Sequence, residues 1–209
     1  MKSIIVNYGL GNIGSVHNAL RFIGADVAIS SNPDEISAAE CLILPGVGSF
    51  GAGMDNLQSL GLIQPLQKAV LERRTPILGI CLGMQLFANE SQEAPGVSGL
   101  GFIPGEVKKF NDPSLRLPHM GFNAVFSVGG DNPYFESFGN NPEDYYFVHS
   151  YYFVPHDDSH RVARTLYGGD FSSVVRKDNI MGMQFHPEKS QGNGLRLMKR
   201  FLELNSNNV

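Results

Sequence analysis

The sequence lacks the features that mark several large classes of protein. It has no tryptophan and only two cysteines, Cys41 and Cys81, too few for a disulfide framework, so we expect a reducing, cytoplasmic setting. No apolar stretch approaches the ~20 residues of a membrane span, and the first apolar run is too short for the core of a signal peptide. The net charge is −4, without the clustered Lys and Arg that nucleic-acid binding needs. We therefore expect neither a membrane nor a nucleic acid as a partner.

The order of predicted elements indicates the fold class. In the first half, strand-length runs alternate with helical patterns, which predicts a parallel sheet covered on both faces; the runs are KSIIV, DVAIS, CLILPG and PILGI. The second half holds strands predicted to be mixed or antiparallel, followed by an amphipathic helix; these are AVFSV, DYYFVHSYYFV, RVARTLY, SSVVRK, IMGMQF and GLRLMKRFLEL. With no repeat and no linker, residues 1–209 are predicted to form one α/β domain.

A glycine-rich turn after the first predicted strand offers a first functional hypothesis. Gly9, Gly11 and Gly14 spell G-x-G-x-x-G before a helix, the context of a dinucleotide-binding fingerprint. That fingerprint also needs an acidic residue at the end of the second strand, about 20 residues on. Here the second strand ends in Ile-Ser-Ser, and Asp34 falls beyond Pro33 in the next predicted helix. The pattern favours a tight turn in which the backbone approaches a neighbour, with dinucleotide binding as the weaker alternative.

The clearest chemical signal surrounds the second cysteine. Gly79 and Gly83 flank Cys81 in the order G-x-C-x-G, between a predicted strand and a predicted helix. This is the thiol version of the nucleophile elbow, a sharp turn that leaves little room for flanking side chains. Unpaired N–H groups and the dipole at a helix start favour a thiolate. Cys81 is the candidate nucleophile, whereas Cys41 opens a buried strand and is expected to be a small core residue.

A thiol nucleophile needs a base, and the base needs an orienting group. The segment QFHPEKS offers His186 and Glu188, with Pro187 between them holding the chain extended. Residues two apart in an extended segment project to the same side, so this pair could complete a Cys–His–Glu triad. The alternative is a histidine at the end of a strand followed by a solvated glutamate.

Acyl chemistry also needs hydrogen-bond donors for an oxyanion. One is expected from the backbone N–H of Leu82, directly after the candidate nucleophile, and a second from the loop PGVGSF, Pro45–Phe50, unless that loop is a plain turn. The segment His156–His160, HDDSH, has residues that bind metals but is expected to be a solvated loop. We expect no metal site.

Six separated segments carry a resemblance that covers essentially the whole chain: NYGLGN, LPGVGSFGAGM, GICLGMQL, LPHMGFN, YYFVHSYYF and QFHPEKS. In these segments the sequence resembles the class I glutamine amidotransferases. More narrowly, it is similar to the glutaminase subunits of imidazole glycerol phosphate synthase. The resemblance implies a three-layer αβα sandwich and the hydrolysis of L-glutamine to glutamate and ammonia, without a metal or an organic cofactor.

The resemblance also implies a role for each site residue. Cys81 would attack the side-chain amide of glutamine, His186 would transfer protons, and Glu188 would orient His186. The substrate would be held by Gln85 and by the backbone of His149, Ser150 and Tyr151. The oxyanion hole would comprise Leu82, Gly46, Val47 and Gly48.

The ammonia would pass to a (β/α)₈-barrel cyclase partner that makes imidazole glycerol phosphate and aminoimidazole carboxamide ribotide in histidine synthesis. The implied partner interface includes Asn12, Phe122, Tyr146 and Lys189. The family usually has Trp at the position of Phe122, which leaves the identity of the partner open. One alternative is a paralogous subunit that feeds ammonia to a sugar amidotransferase of surface-polysaccharide synthesis. Another is a stand-alone cysteine hydrolase acting on γ-glutamyl peptides.

Overall fold

The computed structural model describes residues 1–129, 132–135 and 141–206. The strands are β1 (Lys2–Val6), β2 (Asp26–Ser30), β3 (Cys41–Gly46), β4 (Ile77–Cys81), β5 (Glu90–Ser91), β6 (Gly105–Lys109), β7 (His119–Ser127), β8 (Glu143–His149), β9 (Tyr151–Pro155), β10 (Arg161–Leu166), β11 (Asp170–Lys177) and β12 (Ile180–Met183). The α-helices are α1 (Ile13–Phe22), α2 (Pro33–Ala38), α3 (Phe50–Ser59), α4 (Ile63–Gln67), α5 (Leu82–Gln85) and α6 (Gln191–Ser206). A π-helical turn continues α4, and two 3₁₀ turns follow later in the chain; these are Lys68–Glu72, Asp158–His160 and Pro187–Lys189.

The strands of the described residues form two sheets. The larger sheet has nine strands in the order β2-β1-β3-β4-β12-β11-β10-β7-β8. Its first five strands are parallel to their neighbours, and the rest are antiparallel. The smaller sheet has the order β5-β6-β9. The predicted change from parallel to antiparallel pairing is confirmed.

Alternate residues of the parallel strands enter two separate hydrophobic cores. On β1, Ile4 packs in one core and Ile5 in the other; on β3, Leu42 and Ile43 divide in the same way. Leu20 of α1 and residues of α6 lie in the second core, while residues of α2, α3 and α4 lie in the first. Helices therefore cover both faces of the sheet, and the predicted αβα sandwich is confirmed.

The turn after β1 adopts the tight conformation that its glycines favour. Gly11 has φ +117°, and a Cβ atom there would lie 3.3 Å from the Gly46 Cα atom at the end of β3. The backbone of the turn thus lies directly against the neighbouring strand. Asp34 lies within α2, which Asn32 caps by accepting a hydrogen bond from the Asp34 N–H at 2.9 Å. These observations favour the tight-turn interpretation over a dinucleotide site.

Several element predictions were wrong in detail. Helix α3 was not predicted, because its first turn contains Gly51 and Gly53 and its cap, Ser49, lies in a loop. The aromatic run predicted as one strand is two strands, β8 and β9, which separate at Ser150 and pair in different sheets. The helix predicted after Cys81 is short, because α5 ends at Gln85.

Candidate active site

The backbone at Cys81 forms the predicted sharp turn. Cys81 ends β4 and precedes α5, with φ +53° and ψ −106°, a conformation that a residue with a side chain rarely adopts. A Cβ atom on Gly83 would lie 1.8 Å from the Leu44 carbonyl oxygen, and one on Gly79 would lie 2.6 Å from the Phe87 ring. Both flanking positions therefore require glycine. Cys81 is 6 % exposed and lies at the carboxyl end of the parallel strands.

His186 and Glu188 form a buried pair after β12. Nδ1 of His186 lies 2.9 Å from Oε1 of Glu188, and both side chains are almost completely buried. The predicted extended conformation is wrong for part of this segment, because Pro187–Lys189 forms a 3₁₀ turn. The hydroxyl of Ser190 donates to the His186 carbonyl oxygen at 2.6 Å, which holds this turn. The two side chains meet as predicted, but through a turn.

The surroundings of His186 favour the protonated ring. Burial alone would lower the pKa of His186, but hydrogen bonding to the Cys81 sulfur and to Glu188, together with their negative charges, raises it to about 10. Its Nδ1–H donates to Glu188, so the opposite nitrogen, Nε2, is directed away from the carboxylate. Nε2 is buried, and the Cys81 sulfur is the group that acts on it, since no nitrogen or oxygen of the described residues bonds to it. This nitrogen is the one available for proton transfer at the sulfur.

A cavity of about 210 Å³ opens beside the sulfur. Its lining contains eight predicted site residues, namely Val47, Gly48, Cys81, Leu82, Gln85, His149, Ser150 and Tyr151. Glu93, Pro118 and Val148 also line it and were not predicted. Glu93 Oε2 accepts a hydrogen bond from the Phe50 N–H at 2.7 Å, which fixes a carboxylate near the cavity. No local motif marks Glu93, because its partner lies 43 residues away in the chain.

The predicted oxyanion loop lies next to the elbow. Gly46 is the register partner of Cys81 across β3 and β4. A Cβ atom on Gly46 would lie 2.7 Å from the Leu82 Cβ atom and 2.5 Å from the Tyr8 hydroxyl oxygen, so the loop can start here only with glycine. Gly48 has φ +134°, and the Val47 side chain is half exposed. The loop and the Leu82 N–H thus border the same cavity.

Hydrogen bonds hold the residues predicted to bind substrate. Gln85 Nε2 donates to the Tyr151 carbonyl oxygen at 2.9 Å. His149 Nδ1–H donates to the same oxygen at 2.8 Å. His119, which was not predicted as a site residue, donates through Nδ1–H to His149 Nε2 at 3.0 Å and accepts from the Asn123 amide at 3.1 Å. These bonds fix the junction between β8 and β9, where the chain borders the cavity.

Both buried imidazoles are held neutral. Burial lowers the pKa of His119 to about 4 and, with smaller contributions from neighbouring groups, that of His149 to about 3. The hydrogen bonds require one donor and one acceptor nitrogen on each ring, which matches the neutral form. The pair therefore belongs to the structural support of the cavity.

Three of the four residues predicted at a partner interface lie side by side. The Phe122 and Tyr146 rings pack edge to face with centroids 5.7 Å apart, and Lys189 Nζ lies 5.8 Å from the Tyr146 centroid. Phe122 is 51 % exposed, and its neighbour Met120 is 62 % exposed. Asn12 lies at the start of α1, and its side chain does not cap that helix. The aromatic patch consists of these rings and their two neighbours, namely Met120, Phe122, Tyr146 and Lys189.

No three His, Cys, Asp or Glu side chains within the described part of the chain converge as metal ligands. The segment His156–His160 contains a 3₁₀ turn, which Asp157 caps by accepting a hydrogen bond from the Ser159 N–H. Of the helices in residues 1–129, 132–135 and 141–206, none has the length and apolar character to cross a membrane.

The sharp elbow that carries the thiol, the buried His–Glu pair and the cavity lie together at the carboxyl edge of an αβα sandwich, an arrangement that suits a thiol nucleophile. The family model for class-I glutamine amidotransferases matches residues 4–204. The chain belongs to the class I glutamine amidotransferase family.

Within this family, the chain is similar over nearly its whole length to subunits of imidazole glycerol phosphate synthase. The chain is 47 % identical over 201 residues to imidazole glycerol phosphate synthase subunit HisH 2 of Methanococcus maripaludis, covering 95 % of this chain and 98 % of the relative. It is 44 % identical to subunit HisH of Zymomonas mobilis, covering 96 % and 95 %. It is 46 % identical to subunit HisH of Methanothermobacter thermautotrophicus, covering 96 % and 97 %.

Solved structures share the fold at lower identity. A glutamine amidotransferase crystal structure superposes with a TM-score of 0.76 at 20 % identity, covering 97 % of this chain and 98 % of that one. A chain of the PurLQS structure from Thermotoga maritima gives 0.77 at 20 % identity with the same coverage. At this identity the structures support the fold alone.

Proposed function

We propose that this protein is the glutaminase subunit of an imidazole glycerol phosphate synthase, which hydrolyses L-glutamine to glutamate and ammonia. The observation that carries the proposal is the position of the buried His186–Glu188 pair beside the sulfur of the Cys81 elbow, in a chain 44–47 % identical to HisH subunits over nearly its whole length. The same relatives do not favour the alternative of a polysaccharide-pathway subunit.

The cavity has groups that suit both ends of glutamine. Its walls include the Glu93 carboxylate and Gln85, whose two amide hydrogens are already donated to other residues. Only Oε1 of Gln85 remains to accept a bond from substrate. Two acceptors therefore border the cavity, and we assign them to the α-ammonium group. The side-chain amide of glutamine would then extend toward Cys81.

The arrangement supports a two-step reaction. The Cys81 sulfur attacks the amide carbon of glutamine, and the charge that develops on the oxygen is received by the Leu82 N–H and the loop Gly46–Gly48. His186 gives a proton to the amide nitrogen, which leaves as ammonia while a γ-glutamyl thioester forms. Water then attacks the thioester with His186 as the base, which yields glutamate and the free thiol. Glu188 holds the imidazole in the orientation that both steps require.

The aromatic patch supports a protein partner that receives the ammonia. Its exposed apolar side chains, Met120 and Phe122, are of the residue types that are enriched at the centres of interfaces, and the Lys189 cation lies beside them as in a polar rim. We propose a cyclase subunit with a (β/α)₈-barrel fold as that partner. Transfer across a closed interface would keep ammonia from gaining a proton in water and losing its nucleophilic lone pair.

Replacement of Cys81 by alanine tests the proposal. In the complex with the cyclase subunit, Cys81→Ala should reduce release of glutamate from glutamine to background, since the nucleophile is gone. The matched control is Cys41→Ala, which removes a buried thiol from β3. The control should retain glutaminase activity. Glutamate release by a folded Cys81→Ala complex would contradict the proposal.

A further inference from the structure

A buried glutamine outside the predicted triad contacts the nucleophile. Gln184 directly follows β12, two residues before His186, and its side chain is fully buried. Its Nε2 atom lies 3.7 Å from the Cys81 sulfur, within the range of an N–H···S hydrogen bond. A hydrogen bond from an amide to sulfur is stronger when the sulfur carries a charge. The side chain is thus placed to act on the ionisation of the thiol.

Hydrogen bonding fixes which end of the Gln184 amide faces the sulfur. The Tyr151 carbonyl oxygen can only accept, so the Gln85 atom bonded to it is the amide nitrogen. The same nitrogen lies 3.1 Å from Oε1 of Gln184, which again accepts. If the Gln184 amide were reversed, two NH₂ groups would face each other without an acceptor. The NH₂ group of Gln184 therefore faces Cys81.

These hydrogen bonds run from the Tyr151 carbonyl oxygen through Gln85 to Gln184, and the Tyr151 end is fixed. The Tyr151 oxygen also accepts from His149 Nδ1–H, so both of its lone pairs are used. Gln184 is completely buried, so water does not compete for its amide. The backbone N–H of Gln184 donates to the Ser173 carbonyl oxygen at 2.9 Å, which anchors the residue to β11. The donor is preorganised at the sulfur rather than recruited when the thiol ionises.

We propose that Gln184 is a catalytic residue that donates a hydrogen bond to the Cys81 thiolate, with Gln85 as the positioning residue that orients its amide. The inference deepens the proposed function, because it concerns the same nucleophile. It also connects the cavity wall to the sulfur, since Gln85 borders the cavity and bonds Gln184.

Other titratable groups also act on the sulfur. His186 lies near it after β12, with Glu188 behind the imidazole. The Tyr8 hydroxyl lies on the β1 side, and His149 faces His186 from the end of β8. A test must therefore change Gln184 alone and follow the thiol directly.

The test measures the rate at which iodoacetamide modifies Cys81 as a function of pH, read by peptide mass spectrometry. Gln184→Glu keeps an oxygen acceptor for Gln85 and replaces the donor with a second oxygen. We expect the pH midpoint of modification to rise by about one unit or more, the size of a typical effect from a neighbouring like charge. Gln184→Met preserves the approximate volume and removes the donor without adding charge, so its midpoint should rise by less.

Ser173→Ala is the matched control, because it changes a buried polar side chain on the neighbouring strand that makes no hydrogen bond within the described residues. Its midpoint should equal that of the unchanged protein. A midpoint for folded Gln184→Met equal to that of the unchanged protein would overturn the proposal, even if Gln184→Glu did not fold. The readout needs no turnover of glutamine, so a role for Gln184 can fail while the glutaminase assignment stands.

Discussion

The parallel and antiparallel halves of the large sheet contribute different parts of the candidate site. The parallel half ends in the elbow at Cys81, the glycine loop beside it and the segment that carries His186. The antiparallel half supplies the end of β8 at His149 and the exposed ring of Phe122. The groups proposed to make and break bonds come from the parallel half, together with Gln85 of α5, which is proposed to hold substrate. The antiparallel half adds the His149 wall of the cavity and the exposed aromatic rings of the proposed partner interface.

The two halves are also stabilised differently. At the elbow, steric exclusion dominates, because backbone and rings occupy the space where flanking side chains would lie. In the antiparallel half, buried polar side chains hold neighbouring strands together, as the bond between His119 and His149 does across β7 and β8. We therefore expect the parallel half to be sensitive to added volume and the antiparallel half to be sensitive to pH and to interface substitutions.

The largest effect should follow from adding one methyl group in the parallel half. Gly83→Ala would place a Cβ atom 1.8 Å from the Leu44 carbonyl oxygen, and backbone cannot move aside cheaply. We expect a loss of about 3 kcal/mol or more in the free energy of unfolding, measured by urea denaturation.

Gly14→Ala is the matched control for this substitution. Gly14 lies in α1, and a Cβ atom there would meet nothing within 4 Å. Alanine should stabilise α1 by up to about 1 kcal/mol, since it favours a helix over glycine. Equal stability of the two variants would contradict the steric account of the elbow.

The antiparallel half should lose stability in mild acid. Imidazoles of the unfolded chain bind protons near pH 6.5, whereas burial holds the pKa of folded His119 at about 4 and that of His149 at about 3. Below pH 6.5 the unfolded state thus binds more protons than the folded state. As the pH is lowered, each imidazole therefore decreases the free energy of unfolding by up to about 1.4 kcal/mol per pH unit. His186 has a raised pKa, and its contribution is lost only as the pH rises above 6.5 toward 10.

Urea unfolding between pH 7 and pH 5 measures this dependence. His119→Gln should reduce the pH slope, because one of the two imidazoles is removed. Exposed His156 provides the control variant, His156→Gln, whose slope should stay that of the unchanged protein. A slope in His119→Gln as steep as in the unchanged protein would show that the buried pair does not carry the effect.

The smallest effect should appear on the outer face of the antiparallel half. Phe122→Ala removes the exposed ring that packs against Tyr146, and it should weaken binding of the cyclase subunit by about 1–2 kcal/mol, or roughly 5–30-fold, measured by calorimetry. Stability of the isolated chain should change little. Phe122→Trp should bind at least as tightly, because it restores a large ring.

Phe22→Ala is the control, since Phe22 is also exposed, at 79 %, but ends α1. It should leave binding unchanged. If Phe22→Ala and Phe122→Ala weakened binding of the cyclase subunit equally, the aromatic patch would not be the proposed interface.

Local signals explain why the parallel half was predictable from sequence. Glycines two residues on either side of Cys81 indicated the elbow, because the steric requirement acts on adjacent residues. The helix predicted after the second strand is α2, which begins at Pro33, whose fixed φ suits a first turn, and which Asn32 caps. In such segments the interactions that determine the local structure are between residues close together in the sequence.

Long-range contacts explain what could not be predicted. The break between β8 and β9 at Ser150 has no turn signal, because it arises where the two strands join different sheets. Gln184 bonds a sulfur 103 residues away, and Glu93 bonds an N–H 43 residues away. A single sequence contains no local pattern that marks such pairs.

The most direct test of the central claim labels the nucleophile itself. A glutamine analogue with an electrophilic diazoketone in place of the amide should bind in the cavity and alkylate the attacking atom. The account predicts one label per chain, on Cys81 and not on Cys41, loss of glutaminase activity in proportion to labelling, and protection by L-glutamine. Loss of activity with the label on any other residue would contradict it.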